Sequence, residues 1–279
     1  MSVNVGSRTP TRRVLTGLGV VVVLVFSLFP VFVMVSTAFD ARANDGSRNL
    51  LPTDFTLDNF RFVLDEGNFT TYLRNSVIVA LATVLISSAV ALLASVAVAR
   101  FKFTFRSAVL MLILVVQMVP LEALVIPLFL QAKNLQLLNH LIGLVVVYVA
   151  FSLPFAIWTL RGFVAAIPVE IEEAAYVDGA SWSRMFWSIL FPLVAPGLVA
   201  TSVFSFIMAW NEFIFAITFM NDEGKYTVAA GLRQFFTQYS TDWGAVMAGS
   251  TIITLPVMLF FVAVQRRLAT GLAAGAVKG

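Results

Sequence analysis

The chain contains no cysteine, which excludes a disulfide, a thiolate nucleophile and a cysteine-ligated zinc site. It contains one histidine, His140, so no histidine metal cluster can be assembled within one chain. A lone histidine beside an apolar run reads as structural. Charge is also scarce. Only 12% of the residues are Asp, Glu, Lys or Arg, about half the share of an ordinary soluble domain. A phosphate-cradling G-x-x-x-x-G-K-[ST] loop is missing as well, because Gly224-Lys225 is followed by Tyr226 and lacks the upstream glycine. The chain is therefore not expected to hydrolyse ATP. Energy for uphill work would come from another polypeptide or from an ion gradient.

What is abundant is apolar sequence. Hydrophobic residues make up 59% of the 279 positions, and the mean hydropathy is +0.92. The few charges are unevenly placed, leaving long uncharged runs, the mark of a membrane protein. At about 1.5 Å per residue, some 20 apolar residues cross the hydrocarbon as a helix. Six segments qualify: residues 14–39, 75–99, 107–132, 141–160, 193–220 and 244–265. The first follows Arg12 and Arg13 but is far longer than a signal-peptide core, so it reads as an uncleaved anchor. The expected fold is an all-α integral membrane protein of six transmembrane helices, with a tail at 1–13, the membrane domain at 14–265 and a second tail at 266–279.

An even number of spans puts both termini on one side. Arg100, Lys102 and Arg106 crowd one short connection, and the positive-inside rule then puts both termini in the cytoplasm. The pI near 9.4 is explained by this topology, without nucleic acid. The longest external loop, 40–74, mixes Pro, Asp and Thr punctuation with aromatic residues, a composition that can fold against the membrane. No internal repeat is visible, so the inverted-repeat sign of many secondary transporters is missing.

Between the fourth and fifth spans lies a different kind of sequence, PVEIEEAAYVDGASWSRMFWSILFP, at 168–192. Pro168 suits a helix start and Gly179 a helix stop. A short helix between them would set Ile171, Ala174 and Ala175 on one stripe, flanked by Glu170, Glu172 and Glu173. From Trp182 to Leu190, apolar residues recur at helical spacing, which reads as an amphipathic helix on the membrane face. Pro192 and Pro196 would then redirect the chain into the fifth span. Acids near a helix start also have a bland explanation in the helix dipole. However, Glu170, Glu172, Glu173 and Asp178 are all of the acid on the cytoplasmic side, and a compact acidic helix–turn–helix suits a basic partner.

The segment resembles the EAA loop of ABC-transporter permeases: Glu173-Ala174-Ala175, then Asp178-Gly179-Ala180, then Pro192 after an apolar run. PTDFTLDNF at 52–60, RNS at 74–76, WNEF at 210–213 and GLAAGAVKG at 271–279 are similar to elements of the maltose-type carbohydrate-uptake branch. The resemblance covers about residues 25–279. It implies a permease subunit of an ATP-driven importer in the bacterial cytoplasmic membrane, moving a di- or oligosaccharide inward. The implied partners are a second related permease, two ATP-binding subunits that hold the ATP and Mg, and an external solute-binding protein facing the loops at 40–74 and 221–243. This chain would carry no cofactor itself. By the same resemblance, Glu172, Glu173, Ala174, Ala175, Asp178 and Gly179 couple to the ATPase. Gly275, Ala276, Val277, Lys278 and Gly279 would reach its interface.

The polar residues within the spans are Gln117, Glu122, Asn211 and Glu212. Glu122 and Glu212 lie about 23 Å and about 28 Å from the inner end of their helices. Such groups are costly in lipid and should face the bundle interior or a water-filled cavity. They either line a sugar passage, with Trp210 as a stacking surface or interface anchor, or hold helices together. Pro120 and Pro127 would bend or break the third span beside Glu122. A stand-alone proton-coupled transporter using Glu122 and Glu212 is the second reading. Against it stand the missing repeat and the absence of a basic partner for these acids in the spans. An intramembrane enzyme has neither a nucleophile motif nor a metal set to support it.

Overall fold

The computed structural model describes residues 10–46, 50–237 and 240–276, with side chains described from 14 to 265 within those limits. Helices dominate. No β-strand occurs among the described residues, which hold two isolated bridges. Five helices are long and apolar enough to span a membrane, and a bent pair makes up to six. Contacts divide the chain into two units, Met1–Gly67 with Gln234–Ile252, and Asn68–Arg233 with Ile253–Gly279.

In the first unit, α1 (Pro10–Ala38) is an apolar rod whose surface is open along its hydrophobic window. That suits lipid or another membrane helix, because a helix satisfies its own backbone there. After it, the chain folds around Asp40. The Asp40 carboxyl accepts from the Arg42 N–H at 3.1 Å, the Thr53 hydroxyl at 3.2 Å and the Asp54 N–H at 3.4 Å. Burial pushes this carboxyl up, but the hydrogen bonds outweigh it and leave it below the usual aspartate range. Phe39 stacks on Phe55 at 5.2 Å, and Asn59 in α2 (Asp58–Asp65) donates to the Ala38 and Asp40 carbonyls. The aromatic loop thus has a polar centre and folds on itself.

The second unit is built on α3 (Phe69–Arg100), α6 (Leu141–Ala165) and α9 (Phe191–Asn211), which pack against one another. Small hydroxyl residues let the backbones approach and then bond across the seam: Ser87 to Ser205 at 3.3 Å, and Ser88 to Ser202 at 3.0 Å. At the start of α3, Asn75 donates to the Gly224 and Tyr226 carbonyls at 3.0 and 2.9 Å, and Ser76 accepts from the Val228 N–H. These two residues hold the segment leading into α11 (Val228–Gly231).

One expectation about the spans is met and two need correction. The third span is broken, as its prolines predict: α4 (Arg106–Gln117) and the stretch leading through α5 (Val125–Asn134) meet at 95°. The break falls at Pro120, which takes an extended ψ of 132°. Pro127 sits inside the first turn of α5, where its missing N–H costs nothing. The first correction concerns the fifth span: read as 193–220, it stops at Asn211 and resumes as α10 (Ile214–Phe219). Nor is 182–190 a separate helix on the membrane face. After α7 (Val169–Val177), α8 (Trp182–Met185) runs through a π turn, Phe186–Leu190, into α9, giving one span Trp182–Asn211. Phe191 N–H bonds the Phe186 carbonyl five residues back. This wider turn opens the helix where the Pro192 ring would meet the Ser188 carbonyl, so the proline makes no corner. Finally, α12 (Trp243–Ala276) continues well beyond the sixth span. Gly275 and Ala276 therefore end a helix, while Val277, Lys278 and Gly279 lie outside the described residues.

Candidate coupling surface and transmembrane cavity

The α7 helix stands where Pro168 and Gly179 bracket it. Pro168 is its N-cap, and Gly179 takes φ +81°. The Gly179 N–H bonds the Tyr176 carbonyl and the Ala180 N–H bonds the Ala175 carbonyl. This paired closure needs a left-handed residue, which glycine adopts without strain. Glu170 and Glu172 in the first turn favour the helix dipole.

The helix presents outward most of the face its sequence suggested, with two exceptions, Glu172 and Ala175. Glu172 is buried, and its carboxyl accepts from Arg100 Nε at 2.7 Å. Arg100 takes up its charge within the chain. Ala175 is buried too, in a cluster with Leu160, Val164, Met185 and Phe186. Ala175 therefore gives close approach to the chain's own core. The other residues of α7 are exposed, Ile171 among them, and so are Asp178 and Gly179. Glu170, Glu173, Ala174 and Val177 follow helical spacing on one face. Val177 is 87% exposed, an apolar knob among three carboxylates.

The second feature is a cavity of about 570 Å³ at the broken third span. Gln117 and Glu122 line it, together with Phe151 and Pro154 of α6 and Phe204 and Met208 of α9. Phe204 also packs on Phe155 at 4.0 Å. One carboxylate, one amide and aromatic faces in a space of this size suit a small polar organic ligand with apolar ring faces. The 95° break brings this about: it ends α4 at Gln117 and places Glu122 in the short 3-10 turn that follows.

Trp210, Asn211 and Glu212 do not join them at that cavity. Trp210 is 1% exposed and stacks on Phe206 at 5.4 Å. It is therefore an interior packing residue, which corrects its reading as an interface anchor. Asn211 is exposed and donates to the Ile207 carbonyl of its own helix at 2.9 Å. Glu212 bridges the break between α9 and α10. It accepts from the Phe215 N–H at 2.9 Å, the Ala216 N–H at 3.2 Å and the Tyr148 hydroxyl at 2.6 Å. Its oxygens supply acceptors for N–H groups that the start of α10 leaves unpaired. His140 is exposed at the N-cap of α6, with Nδ1 at 2.8 Å from the Leu138 carbonyl. No group of three His, Cys, Asp or Glu side chains among the described residues could hold a metal ion.

Sequence reasoning missed Arg100, Tyr148, Phe151 and Phe204. Arg100 entered only as a topology charge, and Tyr148, Phe151 and Phe204 were not singled out. Pro154 and the aromatics spaced at 151, 155 and 204 were the available signal, but spacing alone does not say which faces converge.

Residues 84–273 match the family model for a binding-protein-dependent transport system inner membrane component. The chain is 39% identical to a diacetylchitobiose uptake system permease of Streptomyces coelicolor, over 96% of this chain and 98% of that one. It is 34% identical to a trehalose/maltose transport system permease of Thermococcus litoralis, over 96% and 98%. It is 33% identical to a trehalose transport system permease of Mycobacterium tuberculosis, over 91% and 93%. Its fold matches a chain in the crystal structure of a bacterial ABC transporter involved in the import of the acidic polysaccharide alginate, with a TM-score of 0.77 at 21% identity, over 94% of this chain and 99% of that one. The chain belongs to the family of binding-protein-dependent transport system inner membrane components.

Proposed function

We propose that this chain is a transmembrane permease subunit of an ATP-driven importer that carries a di- or oligosaccharide into the cytoplasm. The observation that carries the coupling role is the exposed face of α7, with Glu170, Glu173 and Asp178 around Ala174 and the projecting Val177. Such a face fits a cleft with a basic rim and an apolar floor on an ATPase subunit. Family membership implies a second permease, an ATPase and a solute-binding protein in general; two ATP-binding subunits and one partner permease are the stoichiometry proposed here. ATP and Mg are held by the ATPase. Both termini and α7 lie on the cytoplasmic side, the α4–α5 pair counts as the third of six spans, and loop 40–74 meets the binding protein. The end of α12 and the residues after it reach toward the ATPase.

Relatives named for diacetylchitobiose, trehalose and maltose uptake support a carbohydrate substrate. The cavity at Gln117 and Glu122 agrees with that chemistry, since sugar hydroxyls bond amide and carboxylate while Phe151 and Phe204 meet ring faces. Glu212 and Asn211 support the walls rather than the passage. The test is co-purification of the intact chain with its ATPase. Glu173→Lys should weaken retention by about tenfold or more, the scale of a charge pair turned repulsive at an interface. An intact chain that retains no ATPase, or a Glu173→Lys chain that retains it unchanged, would refute the coupling role.

A further inference from the structure

We propose that Arg100 and Glu172 form the link through which a movement of α7 is passed to the membrane helices; this rests on the coupling role assigned to α7 above. Within its nine residues, α7 buries only Glu172 and Ala175. Ala175 contributes a methyl group to an apolar cluster, a contact without direction, whereas Glu172 contributes a directed bond. Its carboxyl meets Arg100 Nε at 2.7 Å, with the two side chains 10% and 13% exposed. Arg100 also donates from a terminal nitrogen to the Ile167 carbonyl at 2.9 Å, just before α7 begins. One planar guanidinium thus holds α7 by a side chain and the bend leading into it by the backbone.

Arg100 is the last residue of α3. That helix has 32 residues, about 48 Å of length, and packs along both α6 and α9. Those two helices supply Phe151, Pro154, Phe204 and Met208 to the cavity lining. Each partner is also placed for its helix dipole: Arg100 in the last turn of α3, and Glu172 in the first turn of α7. A buried ion pair is a poor device for stability alone, because an apolar pair of similar volume serves as well. What it adds is a fixed distance and direction between two elements. Lysine could not reproduce it, since one ammonium does not present two donors in a rigid plane.

The readout is sugar transported per ATP hydrolysed, by the assembled complex in liposomes, with trehalose and diacetylchitobiose as probes. The double substitution Arg100→Met with Glu172→Met keeps the site buried and leaves no lone charge. It should lower that ratio by roughly 2- to 30-fold, the range in which residues along a coupling route act. Arg100→Lys, which keeps the charge but not the fork, should fall between. If the double variant does not assemble, the Lys variant decides alone: a ratio equal to wild type overturns the link. An unchanged ratio in the double variant, including transport and hydrolysis falling in proportion, overturns it too while leaving the role of α7 intact. A wild-type chain that retains no ATPase and imports neither sugar overturns both.

Discussion

Replacing Glu212 with leucine separates a structural hinge from a substrate ligand. In the structure, its carboxyl serves three donors: the Tyr148 hydroxyl at 2.6 Å and the backbone N–H groups of Phe215 and Ala216. Tyr148, Phe215 and Ala216 are all fully buried, so water cannot take over. Each orphaned buried donor costs about 1–3 kcal/mol, and neighbouring losses are not additive. Glu212→Leu should therefore destabilise the chain by about 3–6 kcal/mol. Glu212→Gln keeps one acceptor oxygen and should cost about 1–3 kcal/mol. Tyr148→Phe removes one donor cleanly and should cost about 1 kcal/mol. In a double-mutant cycle, Tyr148→Phe should cost less once Glu212 is Leu, because the hydroxyl is already unpaired there. The assay is reversible unfolding of the detergent-solubilised chain in mixed micelles, paired with sugar uptake. If Glu212→Leu stays within about 0.5 kcal/mol of wild type while uptake loses its substrate affinity, the hinge reasoning fails and Glu212 is a sugar ligand.

Two other outcomes follow from the geometry. The Asp40 carboxyl is held below the usual aspartate range, because its hydrogen bonds outweigh the effect of burial. Its contribution is fully present above the unfolded value and is lost as pH falls through the lowered one. Asp40→Asn should flatten that acid limb and cost about 1 kcal/mol at neutral pH, read as protease resistance of the 40–60 segment against pH. Glu122 is the one carboxylate lining the cavity. Glu122→Gln should leave uptake of a neutral disaccharide within about threefold and raise competition by a uronate-bearing disaccharide about tenfold, since a like charge at an exposed site costs about 1–2 kcal/mol. Unchanged competition would remove Glu122 from the passage.

The membrane segments were legible because the hydrocarbon asks only for length and apolarity, and both are local properties. The same holds for α7: Pro168 and Gly179 act through their own backbones, so the bracket they set survives folding. Pro120 announced the break in the third span for that reason. The break at Glu212 had no such announcement, because neither proline nor glycine sits there. It exists because a carboxyl can cap α10 while a tyrosine from another helix holds it. The π turn before Pro192 is similar: proline signals a disturbance, but whether the chain corners or widens depends on what packs around it.

The fate of charge divides the two levels most clearly. Sequence by itself determined that this is an apolar, multi-span chain with one compact acidic helix between two of its spans. It also determined that the chain lacks the nucleotide loop. Only the tertiary structure decided which acids face outward. Glu172 and Glu173 are neighbours with the same chemistry. Arg100, 72 positions from Glu172, claims Glu172 for the interior and leaves Glu173 exposed. Tyr148, 64 positions from Glu212, likewise holds that carboxyl at the start of α10. A carboxylate's role is set by the donor that reaches it, and in a packed helical bundle that donor comes from another helix, at a distance along the chain that no local pattern records.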